Sequence, residues 1–243
     1  MGFHLPLSPI DAVNQPPLHF LYVQDGAILL MGTLWTIAYV LYIKQGFKDK
    51  SYGMPIVALC ANIGWELIYG VFFPPSVAEM LMFVPWFFID LVVVYTTIKF
   101  GPEQWKQSPL VANNLKTILG FGTVISFLLH LALIKTCASP DDAGFWSGFS
   151  CQILLGFSSV AHLLSRDNTS GHSWSIWWCR RIGSFAATVL FTWRYWFYPL
   201  DYPLVATPMA IFIFASAELA DIMYAVVYWN IEKRELARKA KTL

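Results

Sequence analysis

Apolar residues run along this chain in long blocks, with neither the strict alternation of a strand nor the narrow stripe of a soluble amphipathic helix. Seven such blocks lie at about 24–43, 55–73, 78–98, 116–134, 145–165, 174–198 and 204–229. Each is close to the roughly 20 residues that a helix needs to cross a bilayer. Turn and charge signals separate them: Lys48-Asp49-Lys50-Ser51, Pro74-Pro75, Gly101-Pro102, Ser139-Pro140-Asp141-Asp142, Arg166-Asp167-Asn168, and Pro199 to Pro203. The pattern predicts an all-α membrane protein, a seven-transmembrane-helix bundle. Six spans is the alternative count.

Lysine and arginine give the bundle a direction. Loops after blocks 1, 3 and 5, together with the tail, hold fourteen of the sixteen: Lys44, Lys48, Lys50, Lys99, Lys106, Lys116, Arg166, Arg180, Arg181, Lys233, Arg234, Arg238, Lys239 and Lys241. Lys135 and Arg194 alone fall on the other side, so the N-terminus is expected in the lumen and the tail in the cytosol. Arg194 is expected to snorkel to the lumenal interface. Interfacial aromatics agree, with Trp193, Tyr195, Trp196, Tyr198 and Tyr202 at one boundary and Trp174, Trp177 and Trp178 at the other. The sequon Asn168-Thr169-Ser170 then faces the cytosol and should carry no glycan.

Composition sharpens this reading. Of 243 residues, 57% are hydrophobic and only 13% charged, against roughly 25% charged in a soluble domain; mean hydropathy is +0.54. No linker, repeat or low-complexity stretch divides the chain, so residues 1–243 read as a single transmembrane domain. The first block has no basic n-region or cleavage site before it and reads as a retained anchor. A net charge of +1 gives no reason to expect nucleic acid, and no obligate protein partner is implied. Cys60, Cys137, Cys151 and Cys179 have no metal-ligand spacing. Cys137 and Cys151 flank one short loop and are candidates for a disulfide, although free apolar-face thiols are favoured.

Candidate chemistry comes from acids inside the blocks: Glu66, Asp90, Glu218 and Asp221. Each is costly in hydrocarbon unless paired, hydrated or protonated. At 1.5 Å per helical residue they lie about 14–18 Å from the cytosolic ends of their helices, in one thin slab. Asn62, Glu66, Tyr69 and Gly70 share one helix face, and Glu218, Asp221, Tyr224 and Tyr228 another. Acids acting only as helix glue are the bland alternative. A carboxyl removed from water keeps its proton and can give it to a weakly basic substrate. Trp65, Trp86, Phe87, Tyr69, Tyr95 and Tyr224 lie near the slab, where π faces would stabilise a carbocation. His130 and His162 lie toward opposite ends of their helices, with His4, His19 and His172 outside them, and none pairs with an acid at metal-ligand spacing. No metal and no cofactor is expected.

Several classes drop out. The last block has no lysine for a retinal Schiff base, Asp141-Asp142-Ala143-Gly144-Phe145 does not complete a DDxxD magnesium motif, and no DxDD motif, P-loop, GxGxxG or GxSxG appears. Asn62-Ile63-Gly64-Trp65-Glu66-Leu67-Ile68-Tyr69 and Glu218-Leu219-Ala220-Asp221 resemble the fungal membrane-integral terpene cyclases of the paxilline and meroterpenoid type. So do Lys50-Ser51-Tyr52-Gly53-Met54 and Ile98-Lys99-Phe100-Gly101-Pro102.

The resemblance covers nearly the whole chain. It implies metal-independent cyclisation of a prenylated substrate ending in an epoxide, in the endoplasmic reticulum membrane, with one acid in the second block and one in the last. Glu66 matches the first acid and Asp221 the second, with Glu218 as an added acid and Asp90 a candidate from depth alone. Asn62, Trp65, Tyr69, Trp86 and Tyr224 are the expected substrate contacts. A proton-coupled transporter and a sterol-isomerase-like membrane enzyme are the rival readings.

Overall fold

The computed structural model describes residues 2–241, which are all-helical, 83% helix with no strand. Eight α-helices are present among the described residues: α1 (Pro9–Asn14), α2 (Leu18–Asp49), α3 (Ile56–Leu67), α4 (Val77–Gln104), α5 (Pro109–Thr136), α6 (Pro140–Arg166), α7 (Trp174–Phe197) and α8 (Pro208–Ala240). Five of them, α2, α4, α5, α6 and α8, are long and apolar enough to cross a membrane. The two other helices on predicted blocks fall short for different reasons. With the π-helical turn Ile68–Phe72 that continues it, α3 is short, and α7 carries Arg180, Arg181 and Arg194.

The helices are longer than the hydropathy blocks. α2 continues through Lys44 and Lys48 to Asp49, and α4 runs through Gly101 and Pro102 to Gln104. Lys and Gln are good helix formers, so the backbone outlasts the apolar stretch; hydropathy measures bilayer thickness and not helix length. Starts are marked by capping hydroxyls. Ser76, Ser139, Ser173 and Thr207 accept from the backbone N–H three residues on, at 3.1–3.3 Å.

α2 packs along α7, α6 along α8, and α3 lies between α5 and α4. Close approaches use small residues. Gly64 leaves no room for a side chain against Ser126 of α5, which fixes the face of α3 that carries Glu66. At one end of the bundle the segment Asp49–Met54 is locked against the α6–α7 loop. A Cβ at Gly53 would overlap the Gly171 carbonyl, and Gly171 itself has φ +86°. Gly171 N–H donates to Asp49 Oδ2 at 2.8 Å. Arg166 donates to the Tyr52 carbonyl at 2.9 Å and stacks 4.2 Å over its ring. The Lys50–Met54 motif is therefore a packing device.

Candidate active site

A cavity of about 410 Å³ opens between the helices, within the size range of small-molecule sites. Its mouth is formed by loop and helix-end residues, among them Ser8, Pro75, Glu79, Ser139, Asp141, Asp201 and Tyr202. Inward the wall becomes aromatic, with Trp35, Tyr39, Trp65, Tyr69, Trp86 and Phe149, and ends at Glu66, Cys151 and Leu155.

Local structure explains why Glu66 stands there. It occupies the last α-helical turn of α3, immediately before the π turn Ile68–Phe72. A π turn rotates the following residues relative to a regular helix and recurs at functional positions. Glu66 is 1% exposed, and neither carboxyl oxygen has a hydrogen-bond partner. Behind it Asp90 of α4 is fully buried, also without a partner, and within electrostatic range of Glu66. Tyr39 comes close to Glu66, and Asn62 to Asp90, without reaching hydrogen-bonding geometry. Asn62 Nδ2 instead donates to the Tyr39 hydroxyl at 3.1 Å.

The cavity's aromatic groups are held by their polar edges. Trp65 Nε1 donates to Ser147 Oγ at 3.1 Å, and the Tyr69 and Ser147 hydroxyls are 3.2 Å apart. Trp86 Nε1 donates to Thr36 Oγ1 at 2.8 Å. Trp65 and Phe83 meet edge to face at 4.6 Å. With N–H groups satisfied by the protein, these rings offer the cavity apolar, electron-rich surface suited to a cation.

A second polar cluster lies beyond the inner end. Asp221 of α8 forms an ion pair with Arg180 of α7, both buried. Arg180 also donates to Ser159 Oγ at 3.2 Å and lies 5.0 Å over the Tyr224 ring. The Asp221 carbonyl accepts from Trp177 Nε1 at 2.9 Å. Tyr224 is hydrogen-bonded to His172 Nδ1 at 3.0 Å. Burial, followed by the neighbouring His162, Arg166 and Arg180, pushes the loop residue His172 well below the usual histidine range. A small pocket of about 10 Å³ touches Arg180, Glu218 and Asp221, about enough for one water. Trp35, Gln152 and Leu155 line both this pocket and the large cavity, so they form the partition between them.

Comparison with known proteins decides the family. The family model described as "Pyr4-like transmembrane terpene cyclases" matches residues 10–234. The Pyr4-family terpene cyclase mfmH of Annulohypoxylon moriforme is 53% identical over 234 residues, covering 96% of this chain and 97% of that one. Terpene cyclase macJ of Penicillium terrestre is 40% identical over 222 residues (90% and 86% coverage), and terpene cyclase pyr4 of Aspergillus fumigatus 33% over 214 (88% of each). No solved structure matches. The chain belongs to the Pyr4-like transmembrane terpene cyclases.

In this cyclase the four predicted acids do not share one site. Glu66 lines the large cavity, and Asp90 is buried beside Glu66 without lining it. Asp221 and Glu218 line only the small pocket, Glu218 ion-paired with Arg181 at 3.0 Å and its side chain 30% exposed. Equal depth along separate helices does not make residues neighbours, because the face each presents turns by about 100° per residue. Asn62, Trp65, Tyr69 and Trp86 line the cavity. Tyr224 does not; it is buried against Arg180 and His172. Tyr95 is 52% exposed on the outside of the bundle, under Lys99.

Two arginines also differ from expectation. Arg180 is no loop charge but lies 2% exposed inside the bundle. Arg194 does not snorkel to the surface; it is 6% exposed and lines the cavity mouth. All four cysteines are free thiols, so Cys137 and Cys151 are not bridged. Trp35, Tyr39 and Gln152 escaped the sequence reading, although Trp35 and Tyr39 stand one turn apart on α2 and so share a face.

Proposed function

We propose that this cyclase opens the terminal epoxide of a prenylated, meroterpenoid-type substrate by protonation from Glu66, and that a metal-independent carbocation cyclisation follows. The observation that carries this reading is the partnerless, buried Glu66 carboxyl at the closed end of an aromatic cavity. A carboxyl there has no cation to neutralise it, and the form that avoids a bare buried charge is the neutral acid, which is the form that donates.

In the proposed step the Glu66 proton moves to the epoxide oxygen and the C–O bond to the tertiary carbon breaks. The electron pair stays on oxygen as a hydroxyl, and the cation forms on carbon. Alkenes of the folded chain attack in turn. The last cation loses a proton to a base, or is captured by a substrate hydroxyl whose proton then passes to a base; one proton enters and one leaves, so the product has the mass of the substrate. Trp65, Tyr69 and Trp86 flank the path with π faces, and the dry wall keeps water from quenching the cation. Asp90 backs Glu66 within electrostatic range. Asp221, paired with Arg180, serves in this reading as a buried anion that holds the partition below the cavity.

The membrane arrangement we propose has seven spans, with α3 and α7 crossing alongside the five long apolar helices, the N-terminus lumenal and the tail cytosolic, in the endoplasmic reticulum. The lysine and arginine distribution supports it.

Microsomes given an epoxide-terminated prenyl arene test the activity. An isomer of unchanged mass, formed equally well in the presence of a chelator, is the expected result. A shifted double bond with the epoxide intact, or no chemical change, contradicts it.

A further inference from the structure

Arg194 stands in the last turn of α7 at the cavity mouth, more than nine-tenths buried. Its Nε donates to Gln24 Oε1 at 2.8 Å. Gln24 Nε2 donates in turn to Asp11 Oδ2 at 2.9 Å, an oxygen that also accepts the Ser8 hydroxyl at 2.8 Å. Asp11 and Gln24 are themselves 1% and 3% exposed. This buried relay, which begins in the short helix α1, grips the guanidinium from behind. Phe191 and Tyr202 lie 5.5 and 5.6 Å from it. The two remaining nitrogens, Nη1 and Nη2, make no hydrogen bond or ion pair among the described residues. A guanidinium has five N–H donors in a planar fork. Here one is used for orientation and the others are left at the cavity mouth. Both nitrogens open onto the cavity and are not sealed within the protein, so a ligand's acceptors can reach them.

We infer that Arg194 is the anchor for the substrate's head group, and that this head group presents two adjacent, coplanar oxygen acceptors, as a carboxylate or an enolised or ortho-hydroxylated carbonyl does. Such a pair matches the fork two bonds at a time, which an ammonium cannot do. Aromatic rings beside the fork suit a planar, unsaturated head. Glu79, Asp141, Asp142 and Asp201 also line the mouth, so a head group with at most one negative charge, which Arg194 alone can offset, suits it better than a diphosphate with several. The class selected is thus an arene or enol with a single acidic group, bearing a prenyl tail.

The position of the anchor sets the register of the tail. Arg194 is in electrostatic range of Asp141, and Glu66 of Cys151. Those two markers are ten residues apart on α6, about 15 Å along the helix. A head fixed at Arg194 leaves a folded prenyl chain to reach Glu66 with its distal end. The inference rests on the epoxide-opening reading above and deepens it.

The test uses microsomes and two probes: an epoxyfarnesylated 2-hydroxybenzoic acid and its O-methylated methyl ester. The wild type is expected to favour the free acid by about tenfold or more in kcat/KM, the worth of one or two charge-assisted hydrogen bonds. Arg194→Gln should remove that preference, mainly by raising KM for the acid toward the value for the ester. Gln24→Leu keeps the charge but loosens its aim and should raise KM more for the acid than for the ester, which covers the case in which Arg194→Gln fails to fold. Equal use of both probes by the wild type, or an undiminished preference in either variant, overturns the anchor and leaves the cyclase reading standing. Conversion of neither probe counts against the epoxide-opening reading itself.

Discussion

Arg180 and Asp221 form an ion pair between α7 and α8, their side chains 3% and 9% exposed. The Asp221 carboxyl is thus already engaged by a guanidinium. Glu66, the other acid that the family resemblance implies, has no hydrogen-bond partner among the described residues. In the proposed mechanism the two acids divide the work: Glu66 would supply the proton, while Asp221 pairs with Arg180 beneath the partition of Trp35, Gln152 and Leu155.

The first prediction concerns stability. Removing one member of a buried ion pair costs about 3–5 kcal/mol, whereas replacing both by apolar residues is often neutral. Asp221→Asn should lower the melting temperature in detergent sharply, and Arg180→Met with Asp221→Leu should recover most of it. Fluorescence-detected gel filtration after heating reads both. A stable Asp221→Asn protein would assign that residue a direct chemical role instead.

A second prediction separates Asp90 from Glu66. Because Asp90 is buried behind Glu66 and does not line the cavity, Asp90→Asn should reduce turnover by about tenfold, as for a modest charge neighbour worth ~1.4 kcal/mol. It should leave the product unchanged. Complete loss of product with an intact fold would promote Asp90 to proton donor.

Cavity shape gives a third. Gly148 faces Trp65 across the cavity wall, with room for a Cβ in ordinary contact at 3.4 Å. Gly148→Ala should be tolerated, while Gly148→Leu should fill space that the folding chain needs. The expected readout is a lower yield of cyclised product and a larger share of prematurely quenched alcohols, measured by mass spectrometry. An unaltered product profile for Gly148→Leu would mean that the chain folds elsewhere.

Topology gives a fourth. Asn168 donates to the Arg166 carbonyl at 3.0 Å, and its side-chain oxygen accepts from Ser170 N–H at 3.1 Å. In the proposed orientation its sequon meets no oligosaccharyltransferase. Endoglycosidase treatment of the expressed protein should not change its mobility, whereas a sequon engineered beside Ser8 should acquire a glycan.

Much of this was legible from residue order because a bilayer imposes a long, simple pattern. The apolar blocks locate the long helices, and an acid inside a block, as at Glu66, is costly enough to be conspicuous. Rotation about each helix axis was not legible. Tyr39 and Tyr95 both sit in apolar runs, yet one lines the cavity and the other is on the outer surface; only packing against a neighbour decides which. Arg180 and Arg194 were misread for a related reason. Counted as topology signals they look like surface cations, and their burial depends on Asp221 and Gln24, which lie 41 and 170 residues away. Ser8 and Asp11 precede the first apolar block and carry no periodic signal, although Ser8 lines the mouth of the site and Asp11 holds Gln24 behind Arg194.

The claim on which the rest depends is that the Glu66 carboxyl delivers the initiating proton. Glu66→Gln keeps the shape of the side chain but cannot act as an acid. With expression and melting temperature matched to wild type in microsomes, the epoxide-terminated prenyl substrate should be recovered unchanged, with cyclised isomer below detection. Cyclised isomer accumulating at the wild-type rate in that variant would contradict the account.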